Sequence, residues 1–92
     1  MMVARVATFE QLDVDGMNSA AVELLRKTVR EIPGFHAGYH LRDQRTGKAM
    51  SVVIWDSVEA AQATREALDS RPQEDRVGAE PDHVEFFEVE PF

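Results

Sequence analysis

The chain has 92 residues, 17 of them acidic and 10 basic for a formal charge of −7, and no cysteine. That length makes one domain, residues 1–92, which buries only about 60–65% of its unfolded surface and sits near the lower limit for standing alone. The charge balance disfavours nucleic acid, which is bound through clustered Lys and Arg, and the lack of cysteine excludes disulfide staples, cysteine-ligated zinc and thiol catalysis.

The opening residues MMVARVATFE have neither the basic head nor the apolar stretch of a signal peptide, and no apolar run approaches the roughly 20 residues that span a bilayer. A soluble, cytoplasmic protein with no membrane partner is expected. Val3–Phe9 is rich in small and β-branched apolar residues, has the length of a strand and carries one interposed cation, Arg5. The following LDVDG is turn chemistry, and Asp13 or, preferably, Asp15 is expected to cap a helix starting near Gly16 or Met17. Met17, Ala21, Leu24, Leu25, Thr28 and Ile32 recur at helical spacing, so an amphipathic helix of about four turns is predicted, with cations in its last half and Pro33-Gly34 as its stop.

Residues 35–41 alternate, with Phe35, Ala37, Tyr39 and Leu41 on one side and His36, Gly38 and His40 on the other. RDQRTGK then supplies a hairpin loop in which Gly47 can take a positive φ. Ala49–Trp55 is apolar on both faces, and both are expected to be buried. Ser57 is placed to cap a second helix over residues 58–70, whose inner stripe is nearly all small: Ala60, Ala61, Ala63, Thr64 and Ala67, with Val58 and Leu68 the bulky members. Residues 73–82 read as a loop and 83–89 as a last strand, in a mostly acidic stretch over 74–90 expected to be a solvated edge.

The order is βαββαβ. It predicts a ferredoxin-like α+β fold: a four-stranded antiparallel sheet with two helices on one face. The other face is left bare although its residues are apolar, and sheet-to-sheet packing in a two-fold homodimer is the simplest closure.

Several segments carry a likeness to a known family. The opening VARVATFE, the helix ending in EIPGF with GYHLRD after it, the VVIWDS junction running into VEAAQA, and the aromatic final strand VEFFEV together resemble the dimeric α/β-barrel proteins related to antibiotic biosynthesis monooxygenases. The resemblance covers the whole chain. It implies a dimeric barrel and, among other activities in the family, oxygenation without metal or organic cofactor.

In the resembling oxygenases a tryptophan at the position of Trp55 lines the pocket between sheet and helices. Here its indole offers an aromatic wall and one N–H donor for a planar substrate, or else closes the barrel end as packing. His36 and His40 are expected on one strand face about 13 Å apart, too far to share a metal; either can serve as a base or hydrogen-bond a phenol. Tyr39 can meet a substrate carbonyl or a buried backbone group. Arg5 on a sheet face requires an anion, either Glu85 or Glu88 or a charged substrate group. His83 is expected at the surface, and Phe9, Phe35, Phe86 and Phe87 in the core or an interface.

Heme-degrading relatives hold heme with an asparagine on an early strand and a histidine on the second helix. The one asparagine here, Asn18, opens the first helix, and residues 58–70 contain no histidine, so heme degradation is disfavoured. No phosphate loop, metal-ligand spacing or hydrolytic triad is present. The reading is a cofactor-free monooxygenase-like protein for a planar phenolic or polyketide-like molecule, with Trp55, His36 and Tyr39 as catalytic candidates and Trp55, Arg5, Tyr39 and His40 as substrate-binding ones. The alternative is a non-catalytic dimeric small-molecule carrier or stress-associated protein, and after it a structural dimer with a collapsed pocket.

Overall fold

β-Branched and aromatic residues favour the pleated backbone at four places, and two amphipathic stretches, the second rich in small residues, wind into helices between them. The computed structural model describes residues 1–13, 15–69 and 80–92. Its elements are β1 (Val3–Phe9), α1 (Ser19–Arg30), β2 (Phe35–Arg42), β3 (Ala49–Trp55), α2 (Val58–Asp69) and β4 (His83–Glu88). The strands form one antiparallel sheet in the order β2-β3-β1-β4. This is the ferredoxin-like α+β arrangement expected, with the two hairpin strands, β2 and β3, adjacent and β1 at the centre. No helix among the described residues is long and apolar enough to cross a membrane.

The start of α1 differs from expectation. Asn18 is the cap, its side chain accepting from the backbone N–H of Ala20 at 3.0 Å and of Ala21 at 3.3 Å. Asp13 instead accepts from the N–H of Gly16 at 3.1 Å, closing a local turn that delays the helix by two to three residues. Asn18 is the better placed acceptor because Ser19, Ala20 and Ala21 follow it without an intervening glycine. α1 is 12 residues long with Lys27 and Arg30 in its last turn, as the dipole favours. Its inward residues include Val29, which the spacing argument omitted, whereas Leu24 is 40% exposed.

Helix α2 begins where expected, with Ser57 Oγ accepting from the Ala60 N–H at 3.2 Å. Ala61 and Thr64 are buried, but Ala63 and Val58 are exposed, so the inner stripe is narrower than the composition suggested. Gly34 explains how closely α2 approaches. Its φ is +93°, and a Cβ there would lie 2.6 Å from the Ala60 Cβ. The Gly34 carbonyl accepts from the Asp56 N–H at 2.9 Å, tying the start of β2 to the end of β3. Gly47, at φ +82°, closes the β2–β3 loop by donating to the Asp43 carbonyl at 2.9 Å.

The core lies between the sheet and the helices: Val3, Val53, Trp55 and Ala61, flanked by Val29, Ile32, Phe35 and Ala60. Packing of both helices on this one face follows from these contacts. The other face carries Tyr39, Leu41 and Phe87 at 57%, 49% and 49% exposure. On β3 that face, Met50, Val52 and Ile54, is only half-buried in the single chain, so the expectation that both faces are buried holds for the helix side alone. Phe86 is also 45% exposed and is not part of the core formed by the described residues. The described carboxylates of the C-terminal stretch, among them Glu80, Asp82, Glu85, Glu88 and Glu90, are exposed on or beside edge strand β4, as expected; of the loop expected over 73–82, residues 80–82 precede β4 without regular structure and 73–79 lie outside the described residues.

Candidate functional site

Cross-strand partners in a sheet share a face, and successive residues alternate between faces. Trp55 stands opposite Val3 and Phe35; Arg5 opposite Val53 and Phe86; Ser51 opposite Ala7 and His40. Because Trp55, Val53 and Val3 pack on Ala61 of α2, this face lies under the helices. Trp55, Arg5, Ser51 and His40 are therefore floor residues of one layer.

Tyr39 is not among them. It pairs with Val52 and stands on the open side, so it cannot meet a ligand held between sheet and helices of its own chain. The sequence alternation put Phe35 with Tyr39 and Leu41. A register shift between Phe35 and Ala37 breaks that pattern: Phe35 faces Trp55, while Ala37, Tyr39 and Leu41 turn outward. His36 is the extra residue of this bulge. It is exposed, has no cross-strand partner, and does not share a simple alternation with His40.

Trp55 has no exposed surface. Phe35 meets it edge-on with ring centroids 5.9 Å apart and planes at 85°, a favourable aromatic geometry. Burying an indole of roughly 200 Å² contributes about 5 kcal/mol as an upper estimate. Its Nε1–H is buried without an acceptor among the described residues, which costs about 1–3 kcal/mol. The apolar gain exceeds the cost, so the indole stays in place with an unused donor.

Arg5 is half-buried between Val53 and Phe86. Glu88 lies one pleat along on the edge strand, opposite Val3, and Glu85 faces the opposite side opposite Val6. Neither forms an ion pair with Arg5, and among the described residues the Arg5 guanidinium makes no side-chain hydrogen bond or salt bridge. Of the two pairings considered from sequence, that with Glu85 is absent because the register sends it to the other face, and Glu88, though on the same face, stands exposed at the sheet edge and does not pair. Burial, and then repulsion from Arg65 on α2, lower the pKa of Arg5 below its ordinary value.

His40 reaches toward α1, where Arg26 Nε donates to its Nδ1 at 3.1 Å, and Arg26 is also paired with Glu23. With Nδ1 accepting, the proton of the neutral ring is on Nε2, and the ring is a donor at that nitrogen. Burial first, then the Arg26 charge, lower the His40 pKa; Glu23 opposes weakly. Gly38 and His40 are on the helix side yet remain exposed, so the helices leave part of the floor uncovered there. Ser51 and Arg26 complete this region. Ser51 was legible as the second residue back from Val53; the Arg26 contact was not, because it joins residues 14 apart across two elements.

His83 is on the surface, 3.4 Å from a Glu10 carboxylate oxygen. Among the described residues no three His, Asp or Glu side chains come together as metal ligands. A cavity of about 410 Å³ lies at the other end of the sheet, between Leu12, Asp13 and Asp15 on one side and Arg42, Asp43 and Gly47 on the other. Trp55 does not line it.

No protein-family model and no curated protein sequence matches the chain. Solved structures do. One from Bordetella bronchiseptica, assigned provisionally as an antibiotic biosynthesis monooxygenase, is 23% identical with a TM-score of 0.73, covering 98% of each chain. The chain has the fold of the antibiotic biosynthesis monooxygenases. A monooxygenase from the gene ActVA-Orf6 of Streptomyces coelicolor, solved with the ligand nanaomycin D, is 23% identical with a TM-score of 0.60, over 99% of this chain and 88% of that one. A heme-degrading protein of Mycobacterium tuberculosis is 24% identical with a TM-score of 0.59, over 97% and 94%. Likeness at this identity establishes the fold, and one fold carries several chemistries.

Proposed function

We propose that this protein is a cofactor-independent, monooxygenase-like enzyme of the cytoplasm that takes a planar phenolic or polyketide-like molecule on the helix-facing side of the sheet. The observation that carries the reading is Trp55: an aromatic wall at a strand end, with a buried N–H that has no acceptor among the described residues. Arg5 and His40 would supply further donors, and the uncovered floor at Gly38 and His40 would be the way in. The nanaomycin D complex of a fold relative supports a ligand of this shape.

The chemistry needs no redox group from the protein. Loss of a proton from an anthrone-type substrate gives an electron-rich anion that reduces dioxygen directly; the ring CH₂ becomes a carbonyl, one oxygen atom stays in the product and the other leaves as water. The protein's part is to orient the ring and exclude water. A proton acceptor is also required, and His36, exposed at the bulge, is the histidine whose ring nitrogens make no side-chain contact among the described residues. The heme-degrading alternative lacks support in this chain, since Asn18 is spent capping α1 and the described part of α2 has no histidine.

The working form is a homodimer through the face bearing Tyr39, Leu41 and Phe87, whose exposure is large for a monomer of this size. A second reading, a non-catalytic dimeric binding protein, is favoured by the complete burial of Trp55 and by the position of the 410 Å³ cavity away from it. Oxygen uptake by metal-free protein with a panel of anthrones and hydroquinones, beside Trp55→Phe, separates them. Uptake above the uncatalysed rate that falls in the variant supports the enzyme; ligand binding without uptake supports the carrier.

A further inference from the structure

Among the described residues, the floor beneath the helices is rich in donors and poor in acceptors. Trp55 Nε1–H is buried and, among the described residues, without a partner. Arg5 stands one pleat further along the same face, flanked by Val53 and Phe86, which cannot hydrogen-bond a guanidinium. The one carboxylate that the register places on this face of β4, Glu88, is exposed at the sheet edge and unpaired with Arg5. Arg65 approaches from α2 and adds positive potential rather than neutralising it. Beyond them His40 presents an N–H at Nε2, its other nitrogen being occupied by Arg26.

A guanidinium held half out of water between apolar side chains is costly unless it is paired, and its planar fork matches a carboxylate in two parallel hydrogen bonds. We propose that the ligand of this face is an aromatic carboxylate, whose anionic group is anchored by Arg5 while its ring lies along the apolar floor toward Trp55. The inference rests on the site proposed above and narrows it: a neutral planar phenol would leave Arg5 unpaired. Arg5 is in this account a specificity residue, setting which planar molecules are held.

The experiment is isothermal titration of the full chain with 2-naphthoate and with its neutral analogue 2-naphthamide, repeated on Arg5→Met and Arg5→Lys. Arg5 Nε–H and Trp55 Nε1–H resonances are followed in parallel. A charge-assisted pair gives an expected preference for naphthoate of about tenfold or more in the natural chain. The preference disappears in Arg5→Met, survives in part in Arg5→Lys, and naphthamide binds all three within about twofold. Far-ultraviolet circular dichroism checks that each variant is folded; should Arg5→Met fail to fold, the shorter, neutral but polar Arg5→Gln carries the comparison. Equal affinity for the two ligands, or a preference that persists without Arg5, overturns the anion anchor and leaves the aromatic site standing. Binding of neither ligand overturns both.

Discussion

Replacing Gly34 by alanine strikes two independent features of the fold. The backbone there has φ +93°, where an L side chain is strained, at a cost of about 1–2 kcal/mol, part of it offset by the reduced freedom of the unfolded chain. The new Cβ also meets the Ala60 Cβ at 2.6 Å, well inside the roughly 3.5–4.0 Å of ordinary carbon contact. Both atoms are short and rigid, so α2 itself must move, which as overpacking costs about 1–3 kcal/mol. The sum, about 2–5 kcal/mol before that offset, is a large share of the roughly 5–14 kcal/mol available to a chain of this length. Urea unfolding followed by Trp55 fluorescence reads it as a fall of about 2 M in midpoint if the slope is near 1.5 kcal/mol per M. The experiment is run at two protein concentrations, since an associating chain has a concentration-dependent midpoint. Ala60→Gly alone costs about 1 kcal/mol of helix propensity, yet in the double variant it restores the clash component, giving a coupling of about 1–3 kcal/mol. A Gly34→Ala variant within about 0.5 kcal/mol of the natural chain refutes the close-approach argument. Loss of stability with no coupling to Ala60 leaves the backbone strain as the sole cause.

Asn18→Ala is expected to lower stability by about 1 kcal/mol through loss of the cap, while Asp15→Ala changes it by less than about 0.5 kcal/mol, both read from thermal unfolding. His40 is expected to titrate below about 6.5, the ordinary histidine value, and Arg26→Ala to bring its midpoint upward, both by proton NMR. Because its folded pKa is depressed, the associated stability is present above the unfolded pKa and is lost as pH falls through the folded one. Tyr39→Glu or Phe87→Glu on the open face is expected to shift sedimentation from dimer to monomer at micromolar concentration, while a natural chain that sediments as a monomer refutes the dimer. Trp55, with no exposed surface, is expected to emit at short wavelength and to resist iodide quenching; a red-shifted, quenchable emission contradicts its burial.

Much of the fold was legible because its signals are local. Strand β3 coincides with the apolar run Ala49–Trp55, Ser57 caps α2, and Gly47 turns the hairpin, each through chemistry that acts within a few residues. Where two local signals competed, the sequence misled: Asp13, Asp15 and Asn18 are all acceptable caps, and what chose Asn18 was Asp13 closing its own turn on Gly16. The bulge after Phe35 shows the same limit in a strand. A period of two is readable from sequence, but a single extra residue reverses the face of everything after it, and here it brings Phe35 onto Trp55 while sending Tyr39 outward.

By itself, then, the sequence determined the element order, the βαββαβ topology and the end-of-strand position of Trp55, since hydrophobic period and turn chemistry are short-range properties. Only the tertiary structure decided which polar groups share a floor. Arg5 lacks Glu85 because cross-strand register sends that carboxylate to the other side, and His40 meets Arg26 because α1 lies above β2. Both are consequences of strand register and layer packing, which depend on contacts between residues far apart in the chain.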